Sequence, residues 1–262
     1  MSTWKDFEIQ CTEYLNSCYG TYAKFTLQGG ANSTVPDIYV KTNTGNSFYI
    51  EVKEPNAQSG QFVLLPDEIN KKFVFSPRNK TAANEFTDII TEHMNNNFDD
   101  FNSAGTAGYS LDIDKSIFGR WIVSYFNSKG VKYFISKDKN YVIFPTSKFE
   151  SYFNITAKYR IKRSGSTEPS KKYQPLIIAE LEEEYGVSSI DTREKKLFVT
   201  GDDSLNKVRF IMGDYEYYLA PKDDNIYEVR QLSNTYNMNV IFSISLKKEQ
   251  DTIDLAIFES EL

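Results

Sequence analysis

Residues 35–53 read VPDIYVKTNTGNSFYIEVK, and the reading of this stretch decides the fold. It spells two short strands, 37–42 and 47–53, around a turn of Asn43, Thr44, Gly45 and Asn46. Pro36 lacks an amide donor, which is tolerated where a strand begins. Side chains two apart on a strand share a face, so Glu51 and Lys53 point one way while Phe48, Ile50 and Val52 point the other. One face of the hairpin is apolar and belongs to a core; the other carries ionisable groups. With Asp37 beside that charged face, two acids and a lysine surround a small volume, a composition suited to a divalent cation and an activated water.

Carboxylate oxygens are natural ligands of Mg²⁺, which takes octahedral oxygen ligation and keeps several waters. Asp37, Glu51 and the backbone carbonyl of Val52 could supply part of such a shell, and the ion would acidify a water and stabilise charge on a phosphodiester oxygen. Lys53, one step along the same face, could orient the water or offset developing negative charge. Taken alone, Glu-x-Lys is a frequent pattern and reads as a solvated same-face pair, with Asp37 merely starting a strand. The joint pattern is far more specific: Pro-Asp at a strand start, a hairpin-sized gap, an alternating strand, then Glu-x-Lys.

Upstream, Trp4, Phe7, Cys11, Leu15 and Cys18 recur at three- and four-residue steps and predict a helix over 3–18, with Thr3 as cap and Asp6 three residues on. Glu8 falls at the edge of that apolar stripe and can face a neighbouring site, whereas Glu13 falls on the far side. Between helix and hairpin, Gly29, Gly30, Asn32 and Ser33 allow a tight turn or close approach of backbone to a ligand.

Downstream, Pro55 breaks the pattern, and 57–65 reads as loop followed by a short apolar segment. A third strand is expected over 71–76, a helix over 81–96, a long loop over 97–114 and a helix over 116–128. Strands over 131–136 and 141–144 flank a polar turn. This order predicts an α/β protein with a mixed sheet flanked by helices over 1–150. Residues 158–172 hold Lys158, Arg160, Lys162, Arg163, Lys171 and Lys172 among small polar residues and read as a mobile basic loop. A helix over 176–184 follows, and from 196 short alternating runs, ending in DLAIFE, predict a β-rich lobe within 151–262.

Composition bounds the chemistry. The chain has 262 residues, a net charge of −6, and one histidine, His93. A single histidine excludes the usual multi-histidine zinc sites, and no nucleophile-elbow sequence accompanies it. Cys11 and Cys18 lie about two helical turns apart, roughly 10 Å of rise, too far for a disulfide; both read as small core residues. No apolar run reaches membrane-spanning length and the N-terminus lacks a secretory pattern, so a cytoplasmic protein with no membrane partner is expected.

Pro36-Asp37 followed by Glu51-Val52-Lys53 resembles the signature of the PD-(D/E)xK nucleases, found in type II restriction endonucleases and archaeal Holliday-junction resolvases. The resemblance covers about residues 7–61, with compatible strand order to about 144. It implies a restriction-endonuclease-like core and Mg²⁺-dependent phosphodiester hydrolysis, with Asp37 and Glu51 as metal ligands and Lys53 as catalytic lysine. It further implies that Glu8 matches the helical acid many members add, joining the metal through water, and that Gln58 or Gln61 matches a polar residue after the lysine. The expected activity is cleavage of double-stranded DNA at a short sequence by a homodimer. Backbone contacts are expected from the 158–172 segment and from Arg78, Asn79 and Lys80, since Lys and Arg neutralise phosphates and Arg also reads guanine edges; Tyr159 and Tyr173 could stack nearby. A structure-selective, resolvase-like nuclease and a catalytically silent DNA-binding protein on the same fold are the alternatives.

Overall fold

A computed structural model describes residues 4–28, 35–163, 165–193, 195–223, 225–234 and 236–262. The cap expected at Thr3 and the turn at Gly29, Gly30, Asn32 and Ser33 lie outside these residues. In chain order the first elements are α1 (Trp4–Tyr19), β1 (Ala23–Leu27), β2 (Ile38–Thr42), β3 (Ser47–Val52), β4 (Asn56–Asp67) and β5 (Lys72–Phe75). Next come α2 (Glu85–Asn96), α3 (Phe98–Asn102), β6 (Tyr109–Ser110), α4 (Lys115–Asn127), β7 (Val131–Lys137) and β8 (Tyr141–Pro145). Then follow α5 (Phe149–Tyr152), β9 (Phe153–Arg163), β10 (Ser166–Thr167), α6 (Gln174–Glu184), β11 (Ser189–Arg193) and β12 (Lys196–Thr200). The last are β13 (Arg209–Met212), β14 (Tyr215–Asp223), β15 (Ile226–Leu232), β16 (Tyr236–Leu246) and α7 (Thr252–Ser260).

The chain forms two compact units, Met1–Arg160 with Met238–Leu262, and Ile161–Asn237. The division expected at residue 150 therefore differs from these units: the chain leaves the first within β9 and returns within β16. The return reflects pairing, because β16 lies between β4 and β9 in one five-stranded sheet, ordered β5-β4-β16-β9-β6. The terminal DLAIFE run is helical rather than extended. Asp251 caps α7 by accepting from the Ile253 and Asp254 amides, and Asp254 and Phe258, four apart, bury one face.

The sheet that carries the hairpin is ordered β1-β2-β3-β7-β8, with β3 and β7 parallel and its other pairs antiparallel. The hairpin register sets Ile38 opposite Ile50 and Val40 opposite Phe48, so both strands send the same apolar set to one face. There they meet Cys11 and Leu15 of α1 and Phe258 of α7. The other face sends Phe134, Val142 and Phe144 into a larger core with Trp121 and Phe126 of α4. A sheet covered on both faces can hold a parallel pair.

Three further expectations change. The 97–114 segment contains α3, whose Phe98 and Phe101 are buried one turn apart, and the short strand β6. Residues expected as loop at 57–61 belong to β4. Gly60 has φ +117°, and an added Cβ would come within 2.7 Å of the Trp121 ring; its partner strand shifts register between Ile241 and Ser243. A bulge at a glycine reads in sequence as a turn. Finally, the basic segment is not a loop up to Arg163, because Phe153, Ile155, Ala157 and Tyr159 alternate inward and hold it as β9. The smaller unit is built on an antiparallel sheet ordered β11-β12-β15-β14-β13, with β10 on β15, and α6 contributes Ile177 and Leu181 to its core.

Candidate active site

Each acid and the lysine of the hairpin motif is positioned by the first sheet or by α1. Glu51 and Val52 end β3, where parallel pairing sets them opposite Phe134 and Ile135 of β7. Lys53 continues that ladder, its amide donating to the Ile135 carbonyl at 2.9 Å. Asp37 stands just before β2 and reaches across: its Oδ2 accepts from the Val52 amide at 2.9 Å. Its carbonyl accepts from Gln28 at 2.7 Å. These bonds, one of them made by the Asp37 side chain itself, tie the two strand ends together and bring the carboxylates to one place.

The Lys53 ammonium lies 2.6 Å from Glu51 Oε1, with both side chains largely buried. It also lies 5.0 Å from the centre of the Phe126 ring. Burial works against its charge, but Glu51 and then Asp37 override this and raise its pKa. Glu8 is buried on α1, and among the described residues its Oε2 has no hydrogen-bond partner; burial and then the charge of Glu51 hold its carboxyl above the usual range. Glu13 is exposed, on the far side as its position in the helix implies. Burial first, and then Glu51, push Asp37 up to about 7; Lys53 and the Val52 amide offset part of this, and Glu8 adds to it. Three acids thus press against one another with one ammonium among them.

Among the described residues no set of three or more His, Cys, Asp or Glu side chains is arranged to hold one ion. The donors that fit Mg²⁺ are the Asp37 and Glu51 carboxylates with the Val52 carbonyl, a set that leaves room for waters. The orphaned Glu8 oxygen supports that fit, since a buried unpaired carboxylate oxygen is costly and a hydrated cation would satisfy it.

The expected phosphate contacts fare unevenly. Arg78 and Lys80 are exposed after β5, but the Asn79 amide clamps the edge of β4, accepting from the Val63 amide at 2.8 Å and donating to its carbonyl at 2.9 Å. Lys158 and Lys162 project outward from β9 and Arg160 is half-buried. Arg163 is engaged by Glu216 at 2.5 Å and by the Tyr236 hydroxyl at 3.0 Å. Lys171 and Lys172 are exposed. Tyr159 is fully buried, its hydroxyl donating to the Leu64 carbonyl, and Tyr173 packs against Tyr215 in the smaller unit; neither is a free stacking platform. Gln58 and Gln61 bond to each other at the surface. Cys18 is exposed rather than a core residue, while Cys11 is buried. Phe126, beneath the Lys53 ammonium, carries no sequence signal of its site, because an apolar residue on a helix stripe reads as core.

No protein-family model matches the chain, and no curated protein matches it. Among solved structures it is similar to the HhaI endonuclease in complex with DNA, at 38% identity and a TM-score of 0.83. The similarity covers 99% of this chain and 98% of that one.

Proposed function

The chain belongs to the family of the HhaI endonuclease, and from this premise we propose that it is a Mg²⁺-dependent type II restriction endonuclease that hydrolyses double-stranded DNA at a short specific sequence. The observation that carries this reading is the convergence of Glu8, Asp37, Glu51 and Lys53 on the end of β3, with Asp37 raised to about 7. Strongly perturbed acids around one point are the mark of a site tuned for chemistry.

In this mechanism Asp37 and Glu51, with the Val52 carbonyl, would hold the ion, and Glu8 would act on it through water. Bound Mg²⁺ supplies a more acidic water and a counter-charge for the phosphodiester oxygen. Lys53 turns its ammonium toward the attacked phosphate and offsets the negative charge that develops there. The Phe126 ring and the Glu51 carboxylate limit where that ammonium can go. Arg78, Lys80, Lys158, Arg160, Lys162, Lys171 and Lys172 are proposed to neutralise backbone phosphates. A homodimer would place one such site on each strand of a symmetric target.

Digestion of a plasmid of known sequence with Mg²⁺, followed by sequencing of the ends, tests the proposal. Fixed ends at one short sequence are expected, with cleavage abolished in Asp37→Ala and Lys53→Ala. Cleavage by those variants at the wild-type rate would overturn it.

A further inference from the structure

We propose that Tyr125 and Lys129 form a subsite for a DNA backbone phosphate adjacent to the scissile one; this rests on the nuclease reading above and adds residues that the hairpin motif does not contain. The Lys129 ammonium donates to the Tyr125 hydroxyl at 2.6 Å and lies 4.1 Å from the centre of that ring. It also lies 5.7 Å from the centre of the Phe126 ring, to which the Lys53 ammonium comes within 5.0 Å. One buried ring is thus shared by two ammonium groups that are at most about 11 Å apart. Successive phosphates of a strand advance about 3.4 Å along the duplex axis, so a cation within that bound lies no more than about three phosphates from the one held at Lys53, and the nearest flanking phosphate is within its reach.

The subsite is preformed by the backbone. Lys129 closes the end of α4, its amide donating to the Phe126 carbonyl at 3.0 Å. Gly130 then reverses the chain at φ +76° and its carbonyl accepts from the Tyr49 amide of β3 at 3.3 Å. The strand that carries Glu51 thus anchors the turn that carries Lys129. Tyr125 and Lys129 are only half-buried, so both reach solvent from this fixed frame. A tyrosine hydroxyl and an ammonium already in contact present two donors to an anionic oxygen, and little ordering entropy is left to lose.

The test uses the full-length protein in two measurements. In EDTA, affinity for a short duplex is followed against salt. Lys129→Gln is expected to flatten the slope of log K against log salt by about 0.9, the value of one phosphate contact, and Lys129→Arg to restore it. In Mg²⁺, a duplex carrying the cleavage sequence is given one uncharged methylphosphonate beside the cut. The wild type is expected to slow roughly tenfold or more, as for loss of a charged hydrogen bond, while Lys129→Gln, already slow, loses nothing further. An unchanged salt slope, or equal slowing of both proteins by the methylphosphonate, overturns the subsite. A wild type that cuts no duplex defeats the nuclease reading instead, and the salt slope still judges the subsite.

Discussion

Asp37→Asn is expected to make the metal-free protein more stable at pH 8 while destroying cleavage. Asparagine can accept the same bond from the Val52 amide that Asp37 Oδ2 accepts, so the strand register survives. What the substitution removes is a half-buried carboxylate pushed up to about 7 from an ordinary 3.8. A carboxyl with a raised folded-state pKa binds its proton more tightly folded than unfolded. Its contribution is therefore full below the unfolded value, and is lost as pH rises through about 4 to 7. At ~1.36 kcal/mol per unit the whole loss is about 4 kcal/mol, of which roughly 2.5 falls between pH 5 and pH 8. The stability advantage of the asparagine variant should accordingly grow by about 2–3 kcal/mol over that interval, a differential Tm shift of roughly 5–10 °C. Calorimetry in EDTA at the two pH values measures it directly. Adding Mg²⁺ at pH 8 should raise the wild-type Tm and leave the variant nearly unmoved. An advantage that is the same at pH 5 and pH 8 would refute the claim that burial, and then the charge of Glu51, disfavour the ionised Asp37 carboxylate.

Gly60→Ala should cost about 2–4 kcal/mol, because its φ of +117° disfavours a Cβ that would also meet the Trp121 ring; thermal unfolding reads the loss. Thr87→Val should cost about 1–3 kcal/mol, since the buried Trp121 indole N–H donates to Thr87 Oγ1 at 2.9 Å and would be left without an acceptor. Chemical unfolding measures that loss, and Thr87→Ser should recover most of it. In the smaller unit, Arg230→Met strips the 2%-exposed Glu228 of its nearest cation, 2.7 Å away. Lys222 still holds the other Glu228 oxygen at 2.8 Å, so the loss falls short of the about 3–5 kcal/mol of a fully stranded buried charge, and amide exchange should accelerate in β14 and β15.

Much of the candidate site was legible because its signals are local. The Pro36-Asp37 start, the Gly45 turn and the alternation through Val52 lie within one hairpin, and period-2 alternation assigns faces without any knowledge of neighbours. The edge position of Glu8 on its helix followed from the helical period in the same way. What stayed hidden depends on contacts between distant segments. β4 looked like a turn because its Gly60 yields to Trp121, which is far away in the chain. Tyr159 looked available for stacking because nothing local announces that Leu64 will receive its hydroxyl.

By itself, then, the sequence determined the hairpin, its charged and apolar faces, and the acids and lysine to which the proposed metal-dependent phosphodiester chemistry is assigned. Only the tertiary structure decided that residues 238–262 return to the first unit, that Glu8 lies buried within the field of Glu51 with an oxygen unpartnered among the described residues, and that the Phe126 ring is shared by Lys53 and Lys129. The reason is the reach of the forces involved. Alternation, turn chemistry and capping act over a few residues, whereas strand order and the burial that shifts a carboxyl to about 7 arise when segments far apart in the chain exclude water from the same small volume.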